Sequence, residues 1–303
     1  MAPAPIAAPA ARSAPARNWI GGLLSGASIE LSARDPLAGP ALRELFQPGA
    51  AVFINFPGND THHGVVQAAV RLRRAGFEPV PHVAARYLLG YTQLNDFLAR
   101  VAGEAGAGQA LVVGGDAARP AGSYRDALQL IDSGLFQKHG ILRLHLAGYP
   151  QGHPRIGVAE LDGALRAKLR AAKAAGLETS IVTQFDFEAE PILAWLRRLR
   201  GQGIDAPVRV GLAGPTSVAT LSKFAVRCGV GNTLRALASG HTSFARLLTE
   251  VGPEPLVHAL ARACDAAEAD GADLGIAGLH FFTFGGAGRT AAMIRTMVRG
   301  EGA

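Results

Sequence analysis

A short apolar run followed by an amphipathic stretch recurs eight times along the chain. This alternation predicts βα units and a parallel sheet. Several runs are apolar throughout, as strands buried on both faces should be. Eight units in 303 residues favour a closed (β/α)8 barrel, a TIM barrel, although an open doubly wound sheet would fit the same pattern with fewer strands. The predicted strands are Ser28–Leu31, Ala51–Phe56, Pro79–Val83, Ala110–Val113, Leu142–Ala147, Ser180–Gln184, Val208–Leu212 and Leu274–Phe281.

Two of the intervening helices are well marked. The first carries an apolar stripe at Leu161, Leu165, Leu169 and Ala172, and Gly176 ends it. The next begins at Pro191 and stops at Gly201, with Ile192, Leu196 and Leu199 as its predicted buried face.

Composition limits the class of protein. With 49% hydrophobic and 18% charged residues, the chain is not a disordered one, and no run of about 18 uncharged apolar residues predicts a membrane span. Cys228 and Cys264 lie in apolar helical contexts without a CxxC pair. We therefore expect core cysteines, no disulfide framework, no metal site and a reducing, cytoplasmic location. The net charge of +6 comes mostly from arginines on predicted helix faces, so no nucleic-acid partner is expected.

The domain organisation is simple. Residues 1–18 are rich in Ala and Pro and contain Arg12 and Arg17 but no acid, which predicts a disordered tail. Residues 19–303 contain no linker or break in composition and are predicted to form one barrel domain.

Polar side chains stand where the predicted strands end. In a barrel these ends meet at one mouth, which is where active sites of this fold lie. The residues are Glu30, Asn55, His82, Asp116, Tyr149, Gln184, His280 and Thr283.

Three of these residues suit catalysis or heterocycle binding. Burial would raise the pKa of Glu30 and make it a general acid, unless it lies at a solvated strand end. Asp116 follows Gly114-Gly115, glycines that let a backbone approach a ligand, but the same residues also form an ordinary turn. Gln184 can both donate to and accept from a heterocyclic amide edge, although its partner could equally be structural.

The loop Tyr149-Pro150-Gln151-Gly152-His153-Pro154 is the most distinctive stretch. Two prolines hold an aromatic ring and an imidazole in a fixed relation, which suits stacking on a flat ligand; a rigid turn is the alternative. His82 is either a cofactor contact or a satisfied histidine at a strand end. His62-His63 has no third ligand at metal spacing and is interpreted as an exposed loop or a helix start.

Glycine-rich loops follow the seventh and eighth predicted strands. They are Gly211-Leu212-Ala213-Gly214-Pro215-Thr216-Ser217 and Phe284-Gly285-Gly286-Ala287-Gly288. Barrels often bind phosphate at these two loops. Two plain turns, with Ser217 as a helix N-cap, explain the residues equally well.

Taken in order, the motifs resemble those of the methylenetetrahydrofolate reductase family, in a divergent, catalytic-domain-only form. The similarity runs from about Ser28 to Thr296. Its anchors are Tyr149-Pro150-x-x-His153-Pro154, Thr183-Gln184-Phe185-x-Phe187 and Leu279-His280-Phe281-Phe282-Thr283, supported by Pro81-His82 and by Gly115-Asp116 followed by Tyr124.

The resemblance implies an FAD-bearing barrel that interconverts 5,10-methylenetetrahydrofolate and 5-methyltetrahydrofolate by hydride transfer, for methionine synthesis or in the oxidative direction. It implies Glu30 as general acid, Asp116 as the carboxylate beside flavin and pterin, and Gln184 and Phe281 as substrate contacts. The implied FAD contacts are His82, Gly115, Asp116, Tyr124, Tyr149, His153 and, for the diphosphate, Lys173. A folate substrate, a nicotinamide or other electron partner, and a homo-oligomer follow from the same resemblance.

Several positions depart from the family pattern. Leu31-Ser32-Ala33-Arg34 replaces Phe-Phe-Pro-Pro, Gly114 replaces an Arg, and Phe56-Pro57-Gly58 replaces Thr-Tyr-Gly. Gly285-Gly286 replaces Asn-Arg, and Val218 stands where an aromatic ring commonly stacks on nicotinamide and folate. The sequence therefore predicts altered or lost use of NAD(P)H. It also leaves open a non-catalytic folate- or flavin-binding subunit and a flavin-free barrel acting on a phosphorylated substrate.

Overall fold

The computed structural model of the chain describes residues 18–35, 40–56, 60–217, 220 and 252–300. Within them, eight parallel strands close into a barrel, each paired with the next along the chain and the eighth with the first. This confirms the (β/α)8 prediction. The strands are β1 (Ser28–Ser32), β2 (Ala51–Asn55), β3 (Glu78–Ala84), β4 (Gln109–Val113), β5 (Arg143–Gly148), β6 (Glu178–Thr183), β7 (Val208–Ala213) and β8 (Ile276–Phe282).

Helices surround the barrel. Those described are α1 (Trp19–Ser25), α2 (Pro40–Leu45), α3 (His62–Arg74), α4 (Tyr91–Ala105), α5 (Ala127–Asp132), α6 (Leu135–Lys138), α7 (Val158–Ala174), α8 (Ala189–Gly201), α9 (Glu254–Ala269) and α10 (Ala287–Arg299). The predicted tail, apart from the cap residue Asn18, lies outside the described residues, as do Pro57, Gly58, Val218 and Cys228.

All eight predicted strands are present, with ends displaced by one or two residues. The displacement at the start of β8, which is predicted at Leu274 but lies at Ile276, has a visible cause. Gly275 has φ +69°, a left-handed conformation that a strand does not contain. His62 does begin a helix, but its ring stacks on Phe56 at 4.9 Å and is only partly exposed.

Strand side chains alternate between two environments. Residues such as Ile29, Val52 and Leu279 point outward into the main core between barrel and helices, where Cys264 of α9 is also buried as predicted. The barrel lumen is more polar. Its apolar part is a small cluster of four buried side chains, Phe53, Val80, Leu111 and Val182.

The lower lumen holds a neutral histidine. His145 lies with Nδ1 2.6 Å from Ser180 Oγ and Nε2 3.0 Å from Gln109 Oε1. Burial, aided by the charge of Arg209, lowers the pKa of His145 to about 3. A buried imidazole with both nitrogens paired is compatible with folding, because no unsatisfied donor remains.

Candidate functional site

Glu30 of β1 lies in the upper lumen, among side chains of three other strands. Asn55 Nδ2 donates to Glu30 Oε1 at 3.1 Å. Glu30 Oε2 is 3.3 Å from His82 Nε2 and 3.5 Å from His280 Nε2. Barrel closure creates this group, since β1 pairs with both β2 and β8.

Ser28 and Thr283 hold the group in place. Ser28 Oγ is 2.9 Å from His280 Nδ1, closer than its 3.4 Å contact with the Leu279 carbonyl. With the hydroxyl donating to Nδ1, the ring proton of His280 is on Nε2 and faces Glu30. Thr283 Oγ1 donates to the Glu30 carbonyl at 2.7 Å, which ties the end of β8 to β1.

The pKa of Glu30 differs from the raised value expected from the sequence. Burial is the largest single influence and raises its pKa, but the opposing charges and hydrogen bonds of His82 and His280 together outweigh it. The pKa of Glu30 is therefore lowered, and the carboxylate is ionised at neutral pH. His280, fully buried, has a pKa lowered by burial despite the opposing effect of Glu30. The raised pKa expected from the sequence is therefore wrong.

Asp116 lies near the start of the loop that follows β4. Tyr87 Oη donates to Asp116 Oδ1 at 2.5 Å. Gly115 has φ +90°, and a Cβ there would be 3.3 Å from the Tyr87 ring. The glycine thus allows the close approach expected from the sequence, toward a tyrosine rather than directly toward a ligand. The sequence-based predictions did not include Tyr87, although it follows β3 at the same mouth of the barrel.

Gln184 extends the line of β6 toward the mouth. Its backbone N–H donates to the Gly148 carbonyl at 2.9 Å, and its Oε1 accepts from the Phe185 N–H at 3.2 Å. Over the described part of the chain, its Nε2 has no hydrogen-bond partner, so one amide donor is available at the mouth.

The Tyr149 loop is a tight turn above β5. Gly152 donates to the Tyr149 carbonyl at 3.0 Å with φ +83°. The rings of Tyr149 and His153 meet edge to face at 5.4 Å, and His153 Nδ1 accepts from the Arg155 N–H. The fixed relation between ring and imidazole expected from the sequence is present.

Three sequence-predicted contacts are placed elsewhere. Phe281 is fully buried and points outward into the main core, so it does not line the lumen; Phe282, beside the His280 ring at 4.9 Å, does. Tyr124 packs its ring into the same core. Lys173 is exposed on the last turn of α7, which leads into the start of β6 and so lies at the end of the barrel opposite the mouth.

A different lysine of α7 is less exposed than Lys173. Lys168 is partly buried, and its pKa is lowered mainly by burial, with Asp126 at the start of α5 opposing the shift. No hydrogen bond or ion pair to Lys168 occurs within the described ranges. The helical spacing in the sequence did not distinguish Lys168 from the other cations, because α7 carries a cation on nearly every face.

Two residues of the glycine-rich loop after β7 have packing or capping roles. Ser217 Oγ accepts from the Thr220 N–H at 3.2 Å. Gly214 is pressed against α10, since a Cβ there would lie 2.3 Å from Thr290 Oγ1. These contacts account for both residues without a bound phosphate.

Asp186 is a buried carboxylate that the sequence-based predictions did not include. It is 3% exposed, and its Oδ1 accepts from Gln151 Nε2 at 2.6 Å and from the N–H groups of Phe187 and Glu188. Burial outweighs these donors and raises its pKa from an ordinary 3.8 to about 6. Its position between Phe185 and Phe187 is the feature of the sequence that could have predicted its burial.

We expect Asp186→Asn to stabilise the protein at pH 8 by about 2 kcal/mol, since two pKa units correspond to roughly 3 kcal/mol and Asn keeps an acceptor for the three donors. The native state binds the proton more tightly than the unfolded chain. Stability therefore falls as pH rises through the interval between the two pKa values. Urea unfolding at several pH values measures this.

The wild type should lose stability between pH 4 and 6 through this group, and Asp186→Asn should not. Glu190→Gln, an exposed change nearby on α8, serves as the control and should leave the profile unaltered. An Asn variant less stable than wild type at pH 8 would contradict the assignment.

The chain matches no family model. Among solved structures it is similar to dihydropteroate synthase (FolP) from Thermus thermophilus, with 17% identity, 91% of this chain and 92% of that chain covered, and a TM-score of 0.45. It is also similar to 2,3-dimethylmalate lyase, a member of the PEP mutase/isocitrate lyase superfamily, with 15% identity, coverage of 85% and 99%, and a TM-score of 0.42. Similarity at this level does not indicate an activity.

Among the described residues, no cluster of three or more His, Cys, Asp or Glu side chains is arranged to hold a metal ion. Of the helices that the structure describes, none has the length and apolar character needed to cross a bilayer.

Proposed function

We propose that this barrel is an FAD-dependent oxidoreductase of the methylenetetrahydrofolate reductase type, acting mainly on 5-methyltetrahydrofolate in the oxidative direction. The observation that carries the proposal is the ionised Glu30, held between two imidazoles at the mouth. Family resemblance supplies the substrate class, and the two imidazoles beside this carboxylate support its use as a proton acceptor.

The oxidative direction needs a base. Loss of hydride from the N5-methyl group leaves a cationic iminium, and closure of the ring then removes a proton from N10. An ionised Glu30 stabilises the cation and accepts that proton at Oε2. His280, fixed by Ser28, and Asn55 orient the carboxylate and are positioning residues. In the reductive direction Glu30 would first have to take up a proton, which its lowered pKa disfavours.

The residues around the mouth suit a flavin. Asp116 with Tyr87, and the Tyr149–His153 pair, offer polar and aromatic groups for the ring system and ribityl chain. Lys168 offers a partly buried positive charge for the diphosphate. When bound, the flavin supplies the hydride acceptor.

The substrate side is built from other residues. Gln184 has an amide donor available for the pterin edge, and Phe282 offers a ring beside His280. The departures at Gly114 and at Gly285-Gly286 support a reduced dependence on NAD(P)H, so we propose that a different electron acceptor reoxidises the enzyme.

We expect the purified protein to be yellow or to take up added FAD. Lys168→Met should weaken FAD binding by tenfold or more, because the diphosphate loses a partly buried positive charge. Lys173→Met is the matched control and should bind FAD like the wild type. Flavin fluorescence quenching measures both affinities.

A protein that stays colourless and does not bind FAD would overturn the cofactor assignment. Equal FAD affinity of wild type and the Lys168 variant would overturn the role of that lysine alone.

A further inference from the structure

The Tyr149 loop is joined by a side-chain hydrogen bond to the segment between β6 and α8, residues 184–188. Gln151, in the middle of the loop, donates through Nε2 to Asp186 Oδ1 at 2.6 Å. Tyr149 and His153, on either side of Gln151 in sequence, carry the two rings that face the proposed flavin position. The Gln151–Asp186 bond therefore connects a loop of the cofactor site to a second part of the barrel.

Asp186 is fixed by main-chain contacts. Its N–H donates to the Gly211 carbonyl of β7 at 3.2 Å, and it forms a bridge with Leu212. Its Oδ1 also accepts from the N–H groups of Phe187 and Glu188 at 2.7 and 3.2 Å. Since loops open more readily than segments bonded to a strand, the Tyr149 loop is the part that separates when the Gln151–Asp186 bond breaks.

The amide oxygen of Gln151 is unsatisfied. Gln151 Oε1 is buried and has no hydrogen-bond partner within the described residues. A donor on residue 186 would pair with Oε1 while Nε2 keeps its bond to Oδ1. A protonated carboxyl group has such a donor and an ionised one does not. Because a buried acceptor without a donor is unfavourable, ionisation of Asp186 weakens the contact between loop and segment.

We propose that Asp186 is a positioning residue that acts through Gln151 and holds the Tyr149 loop in the conformation that receives the cofactor, most firmly when Asp186 is protonated. The effect on the cofactor rests on the proposed function, whereas the hold on the loop does not. With the loop closed, burial raises the pKa of Asp186 from an ordinary 3.8 to about 6. The closed state thus binds the proton more tightly, so protonation favours closure, and closure weakens as the pH rises towards 6.

Other charges near the pair do not reverse this effect. Glu188 raises the pKa of Asp186 further, in addition to burial. Gly211 and Leu212 of β7 carry no charge. Burial lowers the pKa of His153 on the loop, so its titration has to be separated from that of Asp186. The charged or titratable groups of the surrounding elements are Glu188 on the segment, Arg198 of α8 paired with Asp162 of α7, and His153 with Arg155 on the loop.

Hydrogen exchange in the flavin-free protein tests the hold on the loop. We expect the loop amides, Gly152 among them, to open about tenfold less often at pH 5 than at pH 7, after correction for intrinsic exchange rates. Asp186→Asn supplies an N–H for Gln151 Oε1 at every pH and should keep the loop closed at both. Equal opening of the wild-type loop at the two pH values would overturn the proposal. A pH dependence that persists in Asp186→Asn would belong to His153 and would also overturn it.

Removal of either partner should release the loop. At pH 5, Gln151→Ala and Asp186→Ala should each increase loop opening about tenfold, and the double variant should open no more than the single ones, because all three lack the same bond. The FAD affinity should fall about tenfold in both single variants and be retained in the conservative variant Asp186→Asn. Gln202→Ala, an exposed change at the end of α8, is the matched control and should alter neither quantity.

The two measurements distinguish failure of this inference from failure of the proposed function. If no variant and no wild-type protein binds FAD, the proposed function fails, and hydrogen exchange still decides whether Asp186 holds the loop. Unchanged exchange in Gln151→Ala overturns the hold on the loop even where FAD binds. A released loop with normal FAD affinity in Asp186→Ala overturns the positioning role.

Discussion

Glu30→Gln should reduce folate turnover by 10²–10⁴-fold while leaving the barrel folded and FAD binding intact, the range that general acid–base groups contribute. Glutamine is close in shape and can still accept from Asn55, but it cannot take a proton from the substrate. Steady-state oxidation of 5-methyltetrahydrofolate with an artificial electron acceptor measures the loss. Glu44→Gln, an exposed change on α2, is the control.

The pH profile separates a catalytic role from a structural one. Because the pKa of Glu30 is lowered, the acid limb of kcat/KM should lie below the ordinary glutamate value of 4.5. The charge interactions that lower the pKa stabilise the fold above that ordinary value and are lost as pH falls through the folded-state value. Retention of at least half the activity in Glu30→Gln, or an acid limb near pH 6 or above, would contradict the assignment of Glu30 as a resting base.

Gly211→Ala should destabilise the barrel by about 3 kcal/mol or more, at the upper end of the overpacking range. A Cβ at this position in β7 would be 2.3 Å from the Thr183 carbonyl oxygen and 2.9 Å from the Gln184 carbonyl. Backbone atoms of β6 cannot move aside as a flexible side chain can. Thermal and urea unfolding measure the effect.

Gly163→Ala is the matched control for Gly211→Ala. Gly163 lies within α7, and nothing is within 4 Å of the position that its Cβ would take. Alanine should stabilise that helix by about 0.5–1 kcal/mol. Equal changes in stability for the two variants would show that close packing of β6 on β7 does not explain the glycine at position 211.

The barrel could be predicted from sequence because each strand and helix carries its own local pattern. Apolar runs such as Ala51–Phe56 and stripes such as that of α7 depend only on spacing. The mouth could also be predicted, since parallel closure brings together Glu30, His82 and His280 whatever their distance in sequence.

The chemistry of the mouth could not be predicted in the same way. Whether Glu30 is an acid or a base depends on two imidazoles 3.3 and 3.5 Å away, and that balance is set by barrel closure. The outward direction of Phe281 follows from strand parity, which reverses with a shift of one residue. Lys168 and Lys173 are about one and a half helical turns apart along α7. This separation places their charges at different heights and on different faces of the helix.

The most direct test mixes FAD-loaded protein with 5-methyltetrahydrofolate in the absence of oxygen and follows the flavin absorbance. The proposed function predicts that the yellow colour is lost, with 5,10-methylenetetrahydrofolate formed in equal amount. A protein that binds the folate but keeps its oxidised flavin spectrum would contradict it.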